Sequence, residues 1–380
     1  MLKSSQMNKF YKFDLPEWTG AFGDLGTFLP FVVGYISVVN FDPLGILLTF
    51  GVFLIIAGLY YKTPIPVQPM KAIGGAAVTQ TGLITSNMVL GAGLFSGLFW
   101  LVLGASGFFK FISHLISKPV IRGISLGLGF SFIIKATDFM REGLAVSFVA
   151  LIMTFALLRN KRIPAMFFLL VFGIIVTIVS APALLQEIAE IRPGFKVPQF
   201  ALGTLTGQEM LTGILVLALP QIPLTFGNAI IATSAENNRM FPCRQVSEKK
   251  LAIFQGIMNI ISPVMGGIPM CHGAGGIAAH TKFGARSGGA TIIFGAVLLI
   301  LGLFFSDSVL LIFGLIPYPV LGVILFFAGL ELAVSAHDAA KDLKDFYILI
   351  ITAGFSVWNV GIGFLAGVIA QEVLKRVATR

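Results

Sequence analysis

The sequence predicts an all-α polytopic membrane protein of about fourteen transmembrane segments, built as two inverted seven-helix repeats. Three observations carry this prediction: the composition, the distribution of basic residues, and motifs that recur 200 residues apart. Hydrophobic residues make up 56% of the 380 residues and charged residues only 11%, whereas soluble chains carry roughly a quarter charged residues. Apolar runs such as 43–61 and 290–305 are long enough to cross about 30 Å of hydrocarbon.

Basic residues fall almost entirely on one side of the predicted membrane. The predicted segments are centred near residues 30, 53, 76, 99, 127, 152, 172, 218, 258, 276, 297, 325, 351 and 367. With the N-terminus inside, 21 of the 26 basic residues lie on the inner side, four lie on the outer side, and Lys71 lies within a span. Because cytoplasmic loops carry the excess of Lys and Arg, we predict a multi-pass protein of the cell inner (plasma) membrane with cytoplasmic N- and C-termini.

Two motifs recur at the same offset. A Pro-Met pair at 69–70 in PVQPMKAIGG returns at 269–270 in GGIPMCHGAGG, and a Pro-Val pair at 119–120 returns at 319–320. Internal similarity at a fixed offset indicates duplicated halves. Seven spans per half, an odd number, would insert the second half upside down, which is the architecture of many secondary transporters.

The repeat defines the expected domain boundaries. Residues 1–17 lack the apolar core of a signal peptide, and we expect them to form a cytoplasmic N-terminal segment. The first inverted repeat is expected at 18–180 and an extracellular or periplasmic connector at 181–208. The second repeat, with a short C-terminus, is expected at 209–380.

Each Pro-Met pair is predicted to open a helix too short to span the membrane. Proline suits the first helical position, so we expect one helix from Pro69 to about Thr81, roughly 20 Å long. The other would run from Pro269 to about His280, roughly 18 Å. Helix N-termini inside a membrane must face protein, water or a ligand. Two of them, each carrying about half a positive charge, predict an anion site.

Lys71 lies at the start of the first half-helix. Its ammonium group would bring the local charge to about +2, which suits a compact dianion. A lysine within the membrane costs at least a few kcal/mol, so a partner must offset this cost. Two interpretations stay open: Lys71 contacts the substrate, or it forms a permanent ion pair with Asp24 that only fixes the fold.

Four ordered motifs resemble a known family. GAFGDLGTFLP (20–30), PVQPMKAIGG (66–75), LPQIPLTFGNAIIATS (219–234) and GGIPMCHGAGGIAAHTKFGARSGG (266–289) are similar to motifs of the molybdate transporter family related to SulP sulfate permeases. The resemblance implies the fold shared by SulP anion transporters and uracil permease. That fold has a core domain (segments 1–4 and 8–11) and a gate domain (segments 5–7 and 12–14), with substrate between the N-termini of segments 3 and 10.

The resemblance also implies which residues bind substrate. These are Asp24, Gly26, Thr27, Gln68, Met70, Lys71, Gln221, Thr225, Asn228, Cys271, His272 and Gly273. Backbone N–H groups and the amide and hydroxyl side chains would donate hydrogen bonds to an oxyanion, and Lys71 would supply charge. Uracil permease-like proteins have acidic residues near the position of Gln221, so the glutamine favours an anion over a nucleobase.

Several of these residues also fit a purely structural role. His272 could carry a proton or bond a backbone carbonyl, and Cys271 could be an apolar filler. The glycines at 74, 75, 275 and 276 are interpreted as close-packing positions rather than ligand contacts. One cysteine beside one histidine is a weak ligand set, so we predict neither a metal site nor a cofactor.

The predicted function is secondary active import of a tetrahedral oxyanion, molybdate first and sulfate next, by alternating access with proton coupling through Asp24 or His272. The alternatives are an anion channel, or a transporter of another small anion or a nucleobase, on the same fold. The predicted partners are molybdate or sulfate, a co-transported proton or sodium ion, the lipid bilayer and a second copy in a homodimer, with no nucleic acid. No phosphate loop, nucleophile elbow or zinc pattern occurs in the sequence, so we do not expect an enzyme.

Overall fold

The computed structural model describes residues 11–80, 82–107, 117–157, 165–334 and 336–377. Its regular structure within these ranges is helical apart from one pair of two-residue strands. Residues 1–10 of the predicted N-terminal segment lie outside the described residues, as do inner basic residues such as Lys110 and Lys161.

The first half of the chain contains nine described helices and one strand. They are α1 (Leu15–Ala21), α2 (Leu25–Val39), α3 (Pro43–Tyr61), β1 (Gln68–Pro69), α4 (Lys71–Thr79), α5 (Ser86–Ser106), α6 (Lys118–Arg141), α7 (Leu144–Leu157), α8 (Ala165–Ser180) and α9 (Pro182–Ala189). Proline stands in the first turn of α3, α6 and α9, where its missing N–H removes no helical hydrogen bond. The chain bends by 42° between α1 and α2 and by 101° between α8 and α9.

The second half follows the same order. It contains α10 (Gly207–Met240), α11 (Glu248–Val264), β2 (Met270–Cys271), α12 (Ala274–Lys282), α13 (Gly289–Phe305), α14 (Val309–Phe313), α15 (Tyr318–Val334), α16 (Leu343–Trp358) and α17 (Val360–Val377). Two stretches of α10, Ile214–Ala218 and Thr225–Ala232, are π-helical. They flank Pro220 and Pro223, which cannot donate the usual helical bond, and the wider turns accommodate that loss.

Helix length agrees with a membrane protein. Among the described residues, five helices are long and apolar enough to cross a bilayer, and up to seven if each bent pair counts as one span. Every one of the fourteen predicted segment centres lies within a helix. Several of these helices are too short to span a membrane alone, so the number fourteen stays a prediction.

The helices pack as two bundles, and each bundle draws on both halves of the chain. In the first, α3 packs along α13 and α5 packs along α11, with α1, α2, α4, α10 and α12 around them. In the second, α6 packs along α15 and α16, with α7, α8 and α17 beside them. These are the groupings expected for the core and the gate, and we use those names for the two bundles.

Equivalent positions of the two halves meet between α6 and α15. A Cβ added to Gly129 would lie 2.6 Å from the Gly329 carbonyl oxygen, and a Cβ added to Gly329 would lie 2.7 Å from the Gly129 carbonyl oxygen. Reciprocal contact between equivalent residues is what a two-fold relation produces. Residues that lie 200 positions apart in the sequence are therefore also equivalent in the packing of α6 against α15.

The Gly129→Ala substitution is expected to destabilise the gate. The added methyl group would collide with backbone that cannot move without separating α6 from α15, and such overpacking costs about 1–3 kcal/mol. Thermal unfolding of the purified protein in detergent measures the effect as a lower melting temperature. Gly354→Ala on α16 is the matched control, because its added Cβ meets no atom within 4 Å. Equal melting temperatures for the two variants would contradict this packing.

Candidate functional site

Two short strands join the starts of the two half-helices. Strands β1 and β2 pair antiparallel, with Pro69 opposite Met270. The Met70 N–H donates to the Pro269 carbonyl at 2.9 Å. The prolines of the two recurring motifs therefore lie side by side, at one point between α4 and α12.

Buried amides of α11 hold β2 in place. Gln255 Nε2 and Asn259 Nδ2 each donate to the Met270 carbonyl at 2.6 Å, and Asn259 Oδ1 accepts the Met270 N–H at 2.8 Å. Ser262 Oγ donates to the Ile268 carbonyl at 2.8 Å. Non-helical backbone at membrane depth is tolerated only where protein or water satisfies it, and these side chains supply the partners.

The strand pair corrects the predicted helix starts. The first half-helix begins at Lys71 and not at Pro69, and the second begins at Ala274 and not at Pro269. The prediction of the starts was wrong because both prolines are used in extended backbone before the helices. Each helix has nine residues, or roughly 14 Å, so the predicted half-length helices are confirmed.

A backbone N–H in the first turn of α4 donates to a side-chain oxygen of another helix. Neither half-helix has a hydrogen bond from its N-cap side chain. The Ala72 N–H instead donates to Gln221 Oε1 of α10 at 2.7 Å, and Gln221 Nε2 donates to Thr225 Oγ1 at 2.9 Å. The positive end of a helix favours such partners, and the same end favours an anion.

A cavity of about 850 Å³ lies beside these helix starts, with walls from both bundles. Nine of the predicted site residues line it: Asp24, Gly26, Thr27, Gln68, Lys71, Gln221, Thr225, Asn228 and Cys271. The gate wall includes Arg122 of α6 and Glu331 of α15. The cavity extends to Asp338, whose side chain is 49% exposed, and so it reaches one face of the molecule.

Three predicted site residues, Met70, His272 and Gly273, are not among those that line this cavity. Met70 is fully buried, and it is the N-cap residue of α4, directly after β1. His272 is also fully buried, with Nδ1 2.8 Å from the Pro66 carbonyl oxygen and Nε2 3.2 Å from Tyr61 Oη. Because both ring nitrogens are engaged away from the cavity, the geometry favours the structural interpretation of His272.

Gln68 connects Asp24 to the start of α12. Its Nε2 donates to Asp24 Oδ2 at 2.5 Å, while its Oε1 is buried without a hydrogen-bond partner among the described residues. A Cβ on Gly273 would lie 2.3 Å from Gln68 Oε1, and a Cβ on Gly276 would lie 2.5 Å from Gln68 Nε2. Both glycines therefore permit the close approach of this side chain.

Gly275 behaves differently from the neighbouring glycine. Both glycines line the cavity, but a Cβ added to Gly275 would meet no atom within 4 Å. Gly74 and Gly75 would meet Phe31 and Leu128 at 2.4 and 2.7 Å. The packing interpretation of the four glycines thus holds for Gly74, Gly75 and Gly276, whereas Gly275 leaves the first turn of α12 open to a ligand.

Lys71 lines the cavity as the first residue of α4. Within the described ranges, no carboxylate oxygen lies within 4.0 Å of its ammonium group. Asp24 is bonded to Gln68 instead. The permanent Lys71–Asp24 ion pair is therefore not formed in this structure, and Lys71 provides positive charge to the cavity.

Arg122, Lys282 and Glu331 also line the cavity but are not among the predicted site residues. Glu331 is a single carboxylate in the otherwise apolar run LFFAGLELAV, 325–334. An ionisable residue inside a membrane segment is a functional candidate by default. That signal could have identified Glu331, whereas the position of Arg122 at the cavity depends on how the bundles pack.

Two solved structures of membrane transporters have the same fold. The transmembrane domain of the cyanobacterial bicarbonate transporter BicA superposes with a TM-score of 0.64 at 16% identity, covering 94% of this chain and 99% of that one. The murine Solute Carrier 26 family member A9 anion transporter, in its inward-facing state, gives 0.68 at 14% identity, covering 99% and 71%. The chain therefore shares the fold of these proteins, with two inverted repeats.

The chain belongs to the molybdate transporter family. The profile of the family described as Molybdate transporter of MFS superfamily matches residues 16–132 and 213–332. Molybdate transporter 2 of Arabidopsis thaliana is 31% identical over 412 residues, spanning 94% of this chain and 87% of that protein. Molybdate transporter 1 of Chlamydomonas reinhardtii is 28% identical, spanning 93% and 90%. The resemblance is confirmed, and because these relatives are transporters, so is the prediction that the protein is not an enzyme.

Proposed function

We propose that the protein imports a tetrahedral oxyanion, molybdate first and sulfate next, by alternating access. The observation that carries the proposal is the meeting of two half-helix starts and Lys71 at one cavity. The names of the relatives, molybdate transporters of Arabidopsis thaliana and Chlamydomonas reinhardtii, support molybdate as the first candidate.

The charge at the site suits a dianion. Each half-helix contributes about half a positive charge at its start, and Lys71 brings the total to about +2. Asp24 opposes this charge, but its carboxylate accepts from the Gln68 amide and forms no ion pair with Lys71 among the described residues. Thr225 accepts a hydrogen bond from Gln221, so its own hydroxyl hydrogen remains for an oxyanion. Hydrogen bonds to a charged oxygen are roughly twice as strong as neutral ones.

The contacts between core and gate support alternating access. The cavity reaches the face that carries Asp338. Beyond Lys71, at the far end of α4, Gln80 Nε2 lies 3.4 Å from the Trp358 carbonyl oxygen, and Asn359 Nδ2 lies 3.3 Å from Gln80 Oε1. Movement of the core against the gate would separate these groups and open that side. The excess of basic residues in the predicted inner loops supports a cytoplasmic assignment for the open face.

The remaining parts of the proposal follow the sequence. The repeats occupy 18–180 and 209–380 with a connector at 181–208, both termini are cytoplasmic, and the protein resides in the plasma membrane as a homodimer. Import is coupled to protons, with sodium as the alternative ion. Of the two predicted proton carriers, Asp24 lines the cavity and His272 does not.

Radiolabelled molybdate tests the substrate. We expect saturable binding to the purified protein and saturable uptake into proteoliposomes that depends on an imposed proton gradient. Tungstate and sulfate are expected to compete, and bicarbonate and uracil are not. Binding of uracil or bicarbonate without any of the three oxyanions would contradict the substrate assignment. Ohmic current without saturable uptake would identify a channel.

A further inference from the structure

We propose that Glu331 of the gate is the group that binds the co-transported proton, and that it takes up this proton when the oxyanion binds to the core. This inference rests on the proposed function and deepens it, because it assigns the proton and the anion to different bundles. It replaces Asp24 and His272 as the predicted carriers.

The position of Glu331 suits this role. It lies on α15 of the gate and lines the same cavity as Lys71 and Asp24 of the core. Its side chain is exposed and lines the cavity, so water can deliver a proton to it. No described residue forms an ion pair or a hydrogen bond with its carboxylate. The carboxylate can therefore bind a proton, and the negative charge of an incoming anion acts on it without an intervening partner.

The charged groups around Glu331 come from several elements. Helix α15 packs against α2, α6, α7 and α8, and neither α7 nor α8 carries an ionisable residue. The titratable and charged groups that line the cavity with Glu331 are Asp24, Lys71, Arg122, Cys271, Lys282, His337 and Asp338. Lys118 pairs with Asp338, and His280 acts electrostatically on Asp24. Among the lining residues, Lys71, Arg122 and Lys282 are balanced by Asp24, Glu331 and Asp338.

Asp24 and Asp338 already have partners that stabilise their negative charge. Gln68 Nε2 donates to Asp24 at 2.5 Å, and Lys118 Nζ lies 2.7 Å from Asp338 Oδ2. The hydrogen bond from Lys118 lowers the pKa of Asp338. Glu331 is the lining carboxylate without such a donor among the described residues, so its ionised form is the least stabilised of the three and is the one that a dianion most readily drives to take up a proton.

Repulsion between like charges links the two binding events. A dianion near Lys71 is destabilised by an ionised Glu331 across the cavity, and a proton transferred from water to the Glu331 carboxylate removes that repulsion. Anion and proton therefore increase each other's affinity by the same factor. In the cytoplasm, loss of the proton restores the negative charge on the gate and favours release of the anion.

Isothermal titration calorimetry tests this link with the full chain and molybdate. In buffers of different ionisation enthalpy, we expect the wild-type protein to take up about one proton per molybdate, with an affinity that falls about tenfold per pH unit across the titration. In Glu331→Gln, we expect no proton uptake and an affinity independent of pH. Glu331→Asp should retain the uptake. Glu142→Gln, an exposed position at the end of α6, is the matched control and should behave like the wild type.

The outcomes separate the two proposals. If the wild-type protein binds none of molybdate, tungstate and sulfate, the proposed function fails and this inference fails with it. If molybdate binds but Glu331→Gln still takes up a proton, only this inference is overturned. The wild-type titration also tests the inference without any variant, because molybdate binding without proton uptake would contradict it.

Discussion

Replacing Lys71 by glutamine is expected to lower the affinity for molybdate roughly 100-fold. Two unit charges 4 Å apart interact by about 4 kcal/mol at an effective dielectric constant of about 20, and water in the cavity reduces this value. A loss of about 2.7 kcal/mol corresponds to the expected factor. Equilibrium binding of radiolabelled molybdate to the purified variant measures it, at a pH where the wild type binds.

Lys282→Gln provides the comparison for this result. Lys282 also lines the cavity, but it lies at the end of α12 and its side chain is exposed, where solvent and salt screen its charge. We expect the molybdate affinity of the Lys282→Gln variant to change less than about threefold. Equal losses in the two variants would show that Lys71 acts through the general field of the cavity and not through contact with the anion.

Gly276→Ala is expected to disrupt the packing of α12 against Gln68 and Pro66, where the two half-helix starts meet, and to abolish molybdate binding. Its Cβ would lie 2.5 Å from Gln68 Nε2 and 2.6 Å from Pro66 Cγ, and neither group can move away freely, because Pro66 is backbone-constrained and Gln68 holds Asp24. Overpacking of this kind costs about 1–3 kcal/mol. The melting temperature and molybdate binding of the variant are the measurements.

The Gly275→Ala variant, one residue before Gly276, tests contact with the ligand without disturbing the packing of the helices. An added methyl group there meets no atom within 4 Å, so we expect the variant to fold like the wild type. The methyl group would obstruct the first turn of α12, where a glycine allows close approach of a ligand, and we expect molybdate affinity to fall roughly tenfold, the effect of one weakened charged hydrogen bond. Unchanged affinity in a folded Gly275→Ala protein would place the anion away from α12.

The motifs in the sequence predicted the meeting of the half-helices because proline and glycine constrain backbone locally. The pair at 69–70 and its repeat at 269–270 mark positions where a helix cannot continue. The unpaired backbone groups at such a buried interruption need hydrogen-bond partners, and the backbone of a second interruption can supply them. That reasoning leads to the contact between Met70 and Pro269. It could not predict two strands there, because the strand register depends on the amides of α11.

The gate wall of the cavity could not be predicted in the same way. Arg122 and Glu331 lie in different halves of the chain, and only the packing of α6 along α15 brings both to the cavity. His272 shows the opposite error. The motif places it beside the site in sequence, but its ring, one residue after β2, bonds Tyr61 and Pro66 and not a group at the cavity.

A structure of the protein with bound tungstate tests the central claim most directly, because tungsten identifies its own position by anomalous scattering. We expect the tungsten atom of the bound tungstate to lie between the first turns of α4 and α12, beside Lys71 and Gly275. Tungstate bound only near Arg122 and Lys282, with none between the two half-helices, would contradict the claim that their positive ends form the anion site.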